Sequence, residues 1–541
     1  MARPLSFKPG IPLAPSPEVV VVPGGDVETI PCWDATSNVA PMGVDYLHPS
    51  WQIPRSHAKD SLNLWLDRGK LRSRYGTSDV GAGVANLVAA INFITASGIG
   101  YLLRFTTTLA QLWDGVTWTT KYSSFTGSAS DKFVFTGFGN KLVFSNGVDG
   151  MFEFDPDLGT IEVIAGAPAC RHITTFGGRV LASNIPVPTD LPSRIKWCVK
   201  FNHKDWTGIG SGYEDMTSTP GGQIDQQRGV FPITDDIGLV VRSGSIWQMT
   251  VTGSVDAPFR FGRLFESIGS NYPYSLVNVP GGVCGLFNDG FHVISNTEIR
   301  QIGELVNDTV LTQTTVPGDA CAMYDPVTRN YWFSNQTKVY RFSFRDQGWT
   351  PHSYPFSVVW MTSTKSSAAG LSIDSLDAYA ATIDGLDAVF GTIDSMVGGY
   401  TVLGNYFASG GGGTRYIIRE DSSVVLDSDG AGGTVDSPIE IISPAIGFTP
   451  KQLTRLLRIE GVYEDTVVRL VTVSYSLDNG ATYSTYSTGM NTAVTTGAAA
   501  IVWRKTISAK QILIKIRAES LGRTSLQAIA FHVQRGAMVN L

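Results

Sequence analysis

The chain has 541 residues, of which 43% are hydrophobic and only 16% are charged, and its net charge at pH 7 is −6. This length predicts two or three domains, and an acidic balance without a run of Lys and Arg argues against a dedicated nucleic-acid-binding protein. The 58 glycines and 11% aromatic residues favour an all-β chain of short buried strands joined by tight turns.

Residues 1–80 are rich in proline and predict an extended N-terminal arm followed by the first strands. Proline fixes φ and removes a backbone donor, so such a segment is expected to lie across other parts of the fold. No continuous apolar segment marks a secretory signal. The most basic run, residues 68–74, holds four cations. A basic turn and strand explains this run better than a phosphate contact does.

Residues 84–103 carry no charge, which could suggest a membrane helix. However, Asn86, Asn92 and Gly98 interrupt the segment, and apolar residues alternate with small polar ones. We therefore predict buried strands here and no stable membrane insertion.

Residues 81–435 contain short apolar strands separated by turn pairs such as Asp114-Gly115, Asn146-Gly147 and Asp289-Gly290. These pairs predict hairpins with type I′ turns. Five strand–turn–strand units resemble one another and start about 35 to 60 residues apart, at residues 133–144, 172–182, 229–249, 275–287 and 321–333. The spacing predicts a β-propeller of six or seven blades with an insertion at about 185–228, the alternative being an ordinary β-sandwich array.

Residues 371–396 contain a short repeat, in which Ile-Asp-Ser-Leu-Asp at 373–377 returns as Ile-Asp-Gly-Leu-Asp at 383–387. Carboxylates at this spacing could suggest Ca²⁺, but no twelve-residue ligand loop follows. A repeated turn or cap motif is the preferred interpretation. Residues 436–541 then predict a separate C-terminal β-sandwich, with strands at 456–462, 467–475, 512–517 and 526–533.

The residues that could carry chemistry are dispersed. The five cysteines, Cys32, Cys170, Cys198, Cys284 and Cys321, have no pairing pattern and predict reduced, buried thiols. The seven histidines, His48, His57, His172, His203, His292, His352 and His532, lack the spacing of zinc ligands. No phosphate-binding loop, dinucleotide fingerprint or serine nucleophile motif is present. We therefore predict no catalytic, cofactor-binding or metal residues. Absence of motifs does not itself exclude catalysis, because paired carboxylates need not be close in sequence.

One motif requires separate treatment. Residues 476–483, Ser-Leu-Asp-Asn-Gly-Ala-Thr-Tyr, fit the Asp-box pattern found repeatedly in sialidase propellers. In such a box, Ser476 and Asp478 would tie a turn through side-chain hydrogen bonds and Gly480 would supply a positive φ. Because it occurs once and lies in the C-terminal module, we interpret it as a folding device.

The order of these features resembles the tail nozzle, or tail-hub, proteins of short-tailed bacteriophages. The matching segments are Leu-Asn-Leu-Trp-Leu-Asp-Arg-Gly-Lys-Leu-Arg-Ser-Arg-Tyr-Gly at 62–76, Ala-Pro at 167–168 before 173–179, Arg-Ile-Lys-Trp at 194–197, Asp-Trp at 205–206, Gly-Tyr-Glu-Asp at 212–215, Pro-Phe-Arg-Phe at 258–261, Gly269, Asp-Gly-Phe at 289–291 and the 371–396 repeat. These motifs are short and spread over most of residues 60–535.

The resemblance implies a structural virion protein made in the host bacterial cytoplasm. Typically six copies would form a ring below the portal and its adaptor protein, extend the tail tube, gate it, and carry tail fibres or tailspikes. Double-stranded genomic DNA would pass transiently through the ring. The alternative is a carbohydrate-active propeller or tailspike enzyme, which should show clustered carboxylates, or arginines with a tyrosine, in a pocket at one propeller face.

Overall fold

The structure is a computed structural model that describes residues 27–33, 40–95, 98–216, 225–363, 404–410, 413–421, 424, 426–447, 452–465, 471–488, 497–518 and 524–538. The chain forms two compact units. Tyr75–Ser437 is the first, and Met1–Arg74 together with Pro438–Leu541 is the second. We call them the propeller unit and the terminal unit. The predicted repeat at 371–396 and the proline-rich residues 1–26 lie outside the described residues.

The propeller unit contains seven four-stranded antiparallel sheets, numbered here as blades 1 to 7 in chain order of their first strands. Blade 1 consists of Leu87–Ile94, Gly100–Thr106, Ala110–Trp113 and Trp118–Tyr122, and blade 2 consists of Val134–Phe138, Lys141–Ser145, Met151–Asp155 and Thr160–Val163. Blade 3 consists of His172–Phe176, Arg179–Ile185, Leu191–Trp197 and Gly212–Asp215. Blade 4 consists of Gln227–Pro232, Ile237–Arg242, Ser245–Val251 and Phe259–Glu266. The predicted all-β propeller fold is confirmed, and the described sheets number seven.

Blade 5 consists of Val277–Val279, Gly282–Phe287, Gly290–Ile294 and Ile299–Gln301. Blade 6 consists of Cys321–Asp325, Asn330–Ser334, Val339–Ser343 and Gly348–His352. Blade 7 consists of Ser357–Ser363, Asn405–Gly410, Ile417–Asp421 and Gly76–Asp79. Short two-stranded ribbons join Val84–Ala85 to Thr414–Arg415 and Asp427–Ser428 to Thr434–Val435. The helical elements are an α-helix at Asn307–Gln313 and 3₁₀ turns at Pro273–Ser275 and Pro317–Asp319.

Blade 7 closes the ring with strands from both ends of the unit. Its fourth strand, Gly76–Asp79, pairs antiparallel with Ile417–Asp421, and Ser78 lies opposite Arg419. The strand is also held by Thr77, whose backbone N–H donates to the Leu426 carbonyl at 3.0 Å. A closed ring leaves no blade without a neighbour on either face, and the edges that remain on each blade are short and protected.

The hydrophobic core of the propeller unit is divided among the blade interfaces. Between blades 1 and 2, buried phenylalanines pack edge-on and stacked, with the Phe105 and Phe144 ring centroids 5.1 Å apart and Phe144 and Phe152 5.5 Å apart. Between blades 5 and 6, Phe291 lies 4.4 Å from Trp349, centroid to centroid. The high aromatic content of the chain is thus used to fill wedge-shaped spaces that widen outward.

The five predicted strand–turn–strand units are confirmed as the openings of blades 2 to 6. The predicted insertion at 185–228 is wrong in part, because it includes the third and fourth strands of blade 3, Leu191–Trp197 and Gly212–Asp215. The long loop between these two strands obscured their regular spacing in the sequence. Residues 84–103 form strands as predicted, and among the described residues no helix is long and apolar enough to span a membrane.

The predicted type I′ turns are wrong. Gly115, Gly147 and Gly290 have positive φ, but Asp114, Asn146 and Asp289 do not. Instead, the Asp114 carboxylate accepts the backbone N–H groups of Val116 and Thr117 at 2.9 and 2.6 Å, which stabilises a four-residue loop.

The terminal unit contains two antiparallel sheets. One orders Leu64–Asp67, Lys70–Ser73, Thr524–Met538, Gln452–Asp465 and Gly497–Ala509, with Glu28–Cys32 also paired to Thr524–Met538. The other orders Asp60–Leu62, Ile439–Ile442, Leu513–Ala518, Val471–Ser476 and Ser484–Thr488. The Tyr486 hydroxyl donates to the Lys505 carbonyl at 2.6 Å and so joins the two sheets, which form the predicted β-sandwich.

The unit boundaries differ from the predicted segments 1–80, 81–435 and 436–541. The described strands between Glu28 and Ser73 do not form a separate arm but complete both sheets of the terminal unit. Gly76–Asp79 belongs to the propeller unit. Sequence composition could not reveal this, because a strand's partner is chosen by register and burial over hundreds of residues.

Candidate functional site

A cavity of about 250 Å³ lies on the axis of the propeller. The first strand of every blade contributes to its wall, from Ile91 in blade 1 to Trp360 in blade 7. The first strands are the innermost in a propeller, so this cavity is what remains of the central channel. It is the candidate site, because each blade places one or more side chains at a common point.

Aromatic side chains occupy much of this axial cavity. Trp360 lies 5.9 Å from Tyr274 and 6.2 Å from Phe135, centroid to centroid. Tyr274 also lies 6.4 Å from the ring of His172. Tyr274 comes from the connection between blades 4 and 5, whereas the other three residues lie on first strands. The cavity wall therefore offers several aromatic rings that are inclined to one another.

One arginine lies in the wall of this cavity. Arg228 lines the cavity, and its Nε donates to the Ser270 carbonyl at 3.2 Å while Nη2 donates to Asn271 Oδ1 at 3.3 Å. Arg171, which precedes His172, is exposed. Burial lowers the pKa of Arg228, and the nearby positive charge of Arg171 lowers this pKa further.

Burial and the same two arginines keep His172 neutral. Its pKa falls to about 3, with burial as the largest cause and Arg228 and Arg171 next. Burial likewise raises the pKa of Tyr274 to about 12, so its hydroxyl is protonated at neutral pH. Arg228 therefore lies beside a neutral imidazole and a neutral hydroxyl, and the nearby carboxylate of Asp225 raises the pKa of Arg228, opposing the effect of Arg171.

A second, open groove of about 600 Å³ lies beside blades 2 and 3 and is lined by Asp149, Arg194 and Lys196 among others. Its charged groups already have partners. Arg194 donates to both carboxylate oxygens of Asp215 at 2.7 and 2.6 Å, and Asp149 accepts from Asn146 at 2.7 Å. Because Asp215 neutralises Arg194 and the groove is open to solvent, the groove is a weaker candidate than the axial cavity.

Other buried charges hold the scaffold together. Arg242 is fully buried and lies 3.5 Å from Asp225, while Asp225 accepts hydrogen bonds from the loop after the second strand of blade 4. Buried Glu153 accepts from His203 Nε2 at 2.6 Å and from Lys204. Burial raises the pKa of Glu153, but these hydrogen bonds outweigh it and the net pKa is lowered. Such pairs fix blade geometry.

The sequence predictions about chemistry can now be placed on the structure. All five cysteines are buried and free, as predicted. The described residues contain no cluster of His, Cys, Asp and Glu that could hold a metal ion. In the basic run, Arg72 lies 3.1 Å from Asp67, and Arg74 donates to Asn63 at 3.1 Å. That run is therefore partly neutralised by its own strand and turn.

The Asp-box turn is confirmed. Ser476 Oγ donates to Asp478 at 2.6 Å and accepts the Gly480 N–H at 2.8 Å, while Asp478 accepts the Thr482 N–H at 2.9 Å. Gly480 has φ of +92°. These hydrogen bonds lower the pKa of Asp478 to about 2. The motif ties a turn in the terminal unit and lies in a different unit from the axial cavity.

Sequence reasoning missed Arg171, Arg228 and Tyr274. The two arginines immediately precede or open the first strands of consecutive blades, His172–Phe176 and Gln227–Pro232. That shared position is the only signal in the chain that could have paired them. Tyr274 had no such signal, because it is the second residue of the 3₁₀ turn Pro273–Ser275 in the loop between two blades.

The most exposed large apolar side chains of the described residues lie on one face of the propeller. Those more than 60% exposed are Val116, Leu158, Phe201, Ile209 and Val327. Each occupies a turn between the third and fourth strands of a blade or, for Val327, between the first and second. In an antiparallel blade the first and third strands run the same way, so these turns share one end. We call this end the hairpin-turn face.

No family model and no curated protein matches this chain. Among solved structures, it is similar to the extracellular domain of a B. thetaiotaomicron protein described as a one component system, with 9% identity, a TM-score of 0.38, and coverage of 83% of this chain and 61% of that one. A chain of the Mitotic Checkpoint Complex gives 9% identity and a TM-score of 0.33 over 54% of this chain and 88% of that one. The chain thus spans about three fifths of the first of these structures. The fold assignment rests on the sheets described above.

Proposed function

We propose that this protein is a structural virion component that forms the distal tail tube, or nozzle, of a short-tailed bacteriophage. In this proposal several copies, six by resemblance, form a ring attached below the portal and its adaptor. The ring gates and conducts genomic DNA during ejection and anchors fibres or spikes. The function is carried by contacts between copies, and no reaction is involved.

The observation that carries the proposal is the hairpin-turn face. Ile209 is 87% exposed and Val327 is 82% exposed, and four of the five residues come from three consecutive blades. Single exposed apolar residues are common on monomers, but their concentration on one face is typical of a surface that another protein covers. We propose that this face packs against a neighbouring copy in the ring.

The axial cavity supports a ring as well. A cavity of about 250 Å³ that is walled by Trp360, Phe135 and Tyr274 is far too small for a DNA duplex. DNA would therefore pass between propellers arranged around a shared tube. The net charge of −6 agrees with a tube that does not grip phosphates, because like charges repel and no counterions are released.

The native mass of the particle tests this proposal. Light scattering after size exclusion should give about six times the 58.3 kDa chain mass. The double variant Leu158→Asp with Ile209→Asp should shift the particle to monomers, because two carboxylates would be buried in each contact. Val316→Asp is the matched control, since Val316 is 51% exposed but lies in a connection at the opposite face.

Two results would contradict the proposal. The first is a monomer of the unmodified chain at every concentration, with or without the adaptor protein. The second is an assembly that tolerates both aspartates on the hairpin-turn face but dissociates with Val316→Asp. Either result would show that the apolar face does not join copies.

The carbohydrate-active alternative is favoured by one observation, namely that Arg228 and Tyr274 both line the axial cavity. Catalysis by Tyr274 as a nucleophile would need a nearby base. Its pKa is raised by burial to about 12, and within the described residues no carboxylate hydrogen-bonds its hydroxyl. This geometry favours binding over turnover. Release of reducing ends from host surface glycans would instead establish the enzyme.

A further inference from the structure

The terminal unit carries three arginines on the outer face of one sheet. Arg458 lies directly opposite Arg504 on the neighbouring strand, and Arg455 lies on the same strand as Arg458, across one bulge. The side chains that these two strands turn toward the core are Leu456, Ile459, Trp503 and Ile507. Arg455 and Arg504 are exposed, and the Arg458 side chain is 42% exposed. We call the surface formed by these three arginines the arginine face.

The register gives the arginine face a concentrated positive charge. Like charges directly opposite each other on paired strands destabilise a sheet, as Arg458 and Arg504 do here. Arg458 Nη2 lies 3.1 Å from Glu460 Oε1, and the Glu460 carboxylate also lies 3.2 Å from His532 Nε2. Val502, which lies opposite Glu460, is 40% exposed and adds an apolar side chain to this face. Arginine beside exposed apolar surface is typical of places where proteins meet.

On the propeller unit, the hairpin-turn face has adjoining apolar side chains at blades 3 and 4. Ile209 is 87% exposed, Phe201 is 74% exposed and Val255 is 56% exposed. Ile209 and Val255 belong to neighbouring turns, because a Cβ placed on Gly210 would lie 3.3 Å from Val255 Cγ1. A Cβ placed on Gly178 would lie 2.8 Å from the Phe201 ring, so this ring covers the first turn of blade 3. Together they form apolar surface that spans two blades.

Exposed carboxylates border this apolar surface. Asp235 and Asp236 lie in the first turn of blade 4, and Asp256 follows Val255 in the turn between its third and fourth strands. The two turns are adjacent, since the Val251 backbone N–H donates to the Asp236 carbonyl at 3.0 Å. We call these three carboxylates, with the apolar side chains just described, the blade 3–4 patch. Its acidic border and apolar centre are complementary to the arginine face and Val502.

We propose that the arginine face of one copy binds the blade 3–4 patch of the next copy. This inference rests on the proposed ring and names the surface that meets the hairpin-turn face. A cyclic ring of more than two copies needs two different surfaces at each contact, because a contact between identical surfaces closes as a dimer. The arginines pair with the carboxylates of the neighbour, and Val502 covers Phe201 and Ile209. Charge complementarity of this kind also fixes which surfaces join.

The native mass of the full chain at decreasing protein concentration tests the proposal. Arg504→Glu should raise the concentration at which the ring dissociates by about tenfold or more, because it sets a carboxylate against the carboxylates of the patch. Within the chain it replaces an Arg–Arg pair by a Glu–Arg pair and so leaves the sheet intact. Arg171→Glu is the matched control, since Arg171 is exposed and precedes the first strand of blade 3, at the end opposite the hairpin turns. It should shift dissociation by less than about threefold.

Charge reversal on the patch supplies the second arm. Asp235→Lys with Asp236→Lys should also weaken the ring, and combining both with Arg504→Glu should recover about tenfold in dissociation concentration. Near-ultraviolet circular dichroism checks the fold of each variant.

The proposal is overturned if Arg504→Glu dissociates no more readily than Arg171→Glu, or if the combined variant is no more stable than the weaker of its parents. In both cases the unmodified ring persists, so the proposed function survives and only the contact is wrong. An unmodified chain that stays monomeric overturns the ring and this contact together.

Discussion

At the residue scale, some charged side chains in the blades are buried and paired with an opposite charge, whereas others are not. Glu153 and Arg242 are buried and paired inside the chain, and their partners come from the same or the next blade. Arg171 and Arg228 are half-buried or exposed and lack such partners among the described residues. Residue type alone does not distinguish these roles, because the difference is made by which groups the fold brings within reach.

His172 makes a prediction about pH. Its pKa is about 3 when folded and 6.5 in the unfolded chain, so between these values the unfolded state binds more protons. The free energy of unfolding should therefore fall as pH drops below 6.5, by up to about 1.4 kcal/mol per pH unit from this group. His172→Gln should remove that part of the slope.

The measurement is the urea midpoint of unfolding at pH 7 and pH 4.5 for both proteins. Other titrating groups contribute equally in the unmodified chain and in His172→Gln. The difference between the two proteins in how their stability changes with pH therefore isolates the contribution of His172. If the free energy of unfolding changed equally with pH in both proteins, protonation of His172 would not destabilise the folded state and the arginines would not face its ring.

At the element scale, the strand Gly76–Asp79 decides whether the propeller closes. It supplies the outer edge of blade 7, and the strand that it pairs with lies about 340 residues later in the chain. Ser78→Pro should destabilise the propeller unit by about 1–3 kcal/mol, because proline removes a backbone donor from the strand and leaves an acceptor unpaired.

Ser78→Ala is the control for this prediction, since it retains the backbone donor and should change stability by less than about 0.5 kcal/mol. Chemical denaturation followed by tryptophan fluorescence gives both values. If the proline variant were as stable as the alanine variant, the pairing with Ile417–Asp421 would contribute nothing to closure.

At the scale of the whole molecule, the propeller unit is continuous in sequence, whereas the terminal unit is built from both flanking segments. Each unit has its own buried core, such as Phe144 and Trp332 in one and Phe531 and Ile459 in the other. Independent cores are what allow parts of a chain to fold separately.

Residues 75–437 should therefore fold alone and unfold cooperatively, as judged by circular dichroism and thermal denaturation. The fragment 81–437 should be markedly less stable or aggregate, because it lacks Gly76–Asp79 and exposes the edge of blade 7. Equal stability of the two fragments would argue that the ring does not need this strand.

Local patterns in the sequence were sufficient for the hairpins. Units such as residues 172–182 and 321–333 appear as strand, turn and strand because alternation and turn residues act over a few positions. The buried thiols and the Asp-box turn at Ser476 followed from the same local chemistry. Local patterns did not show that residues 191–215 contain two strands of a blade, because a loop of irregular length separates these strands.

The sequence by itself determined that this protein is all-β, that repeated hairpins form a propeller, and that a sandwich follows. Only the tertiary structure decided that Gly76–Asp79 closes blade 7, that strands from the N-terminal segment complete the sandwich, and that Arg228 and Tyr274 line the axial cavity. The physical reason is the distance along the chain over which the stabilising contacts act. Hairpins depend on neighbouring residues, whereas ring closure and the axial site depend on the relative placement of blades whose sequences carry no record of one another.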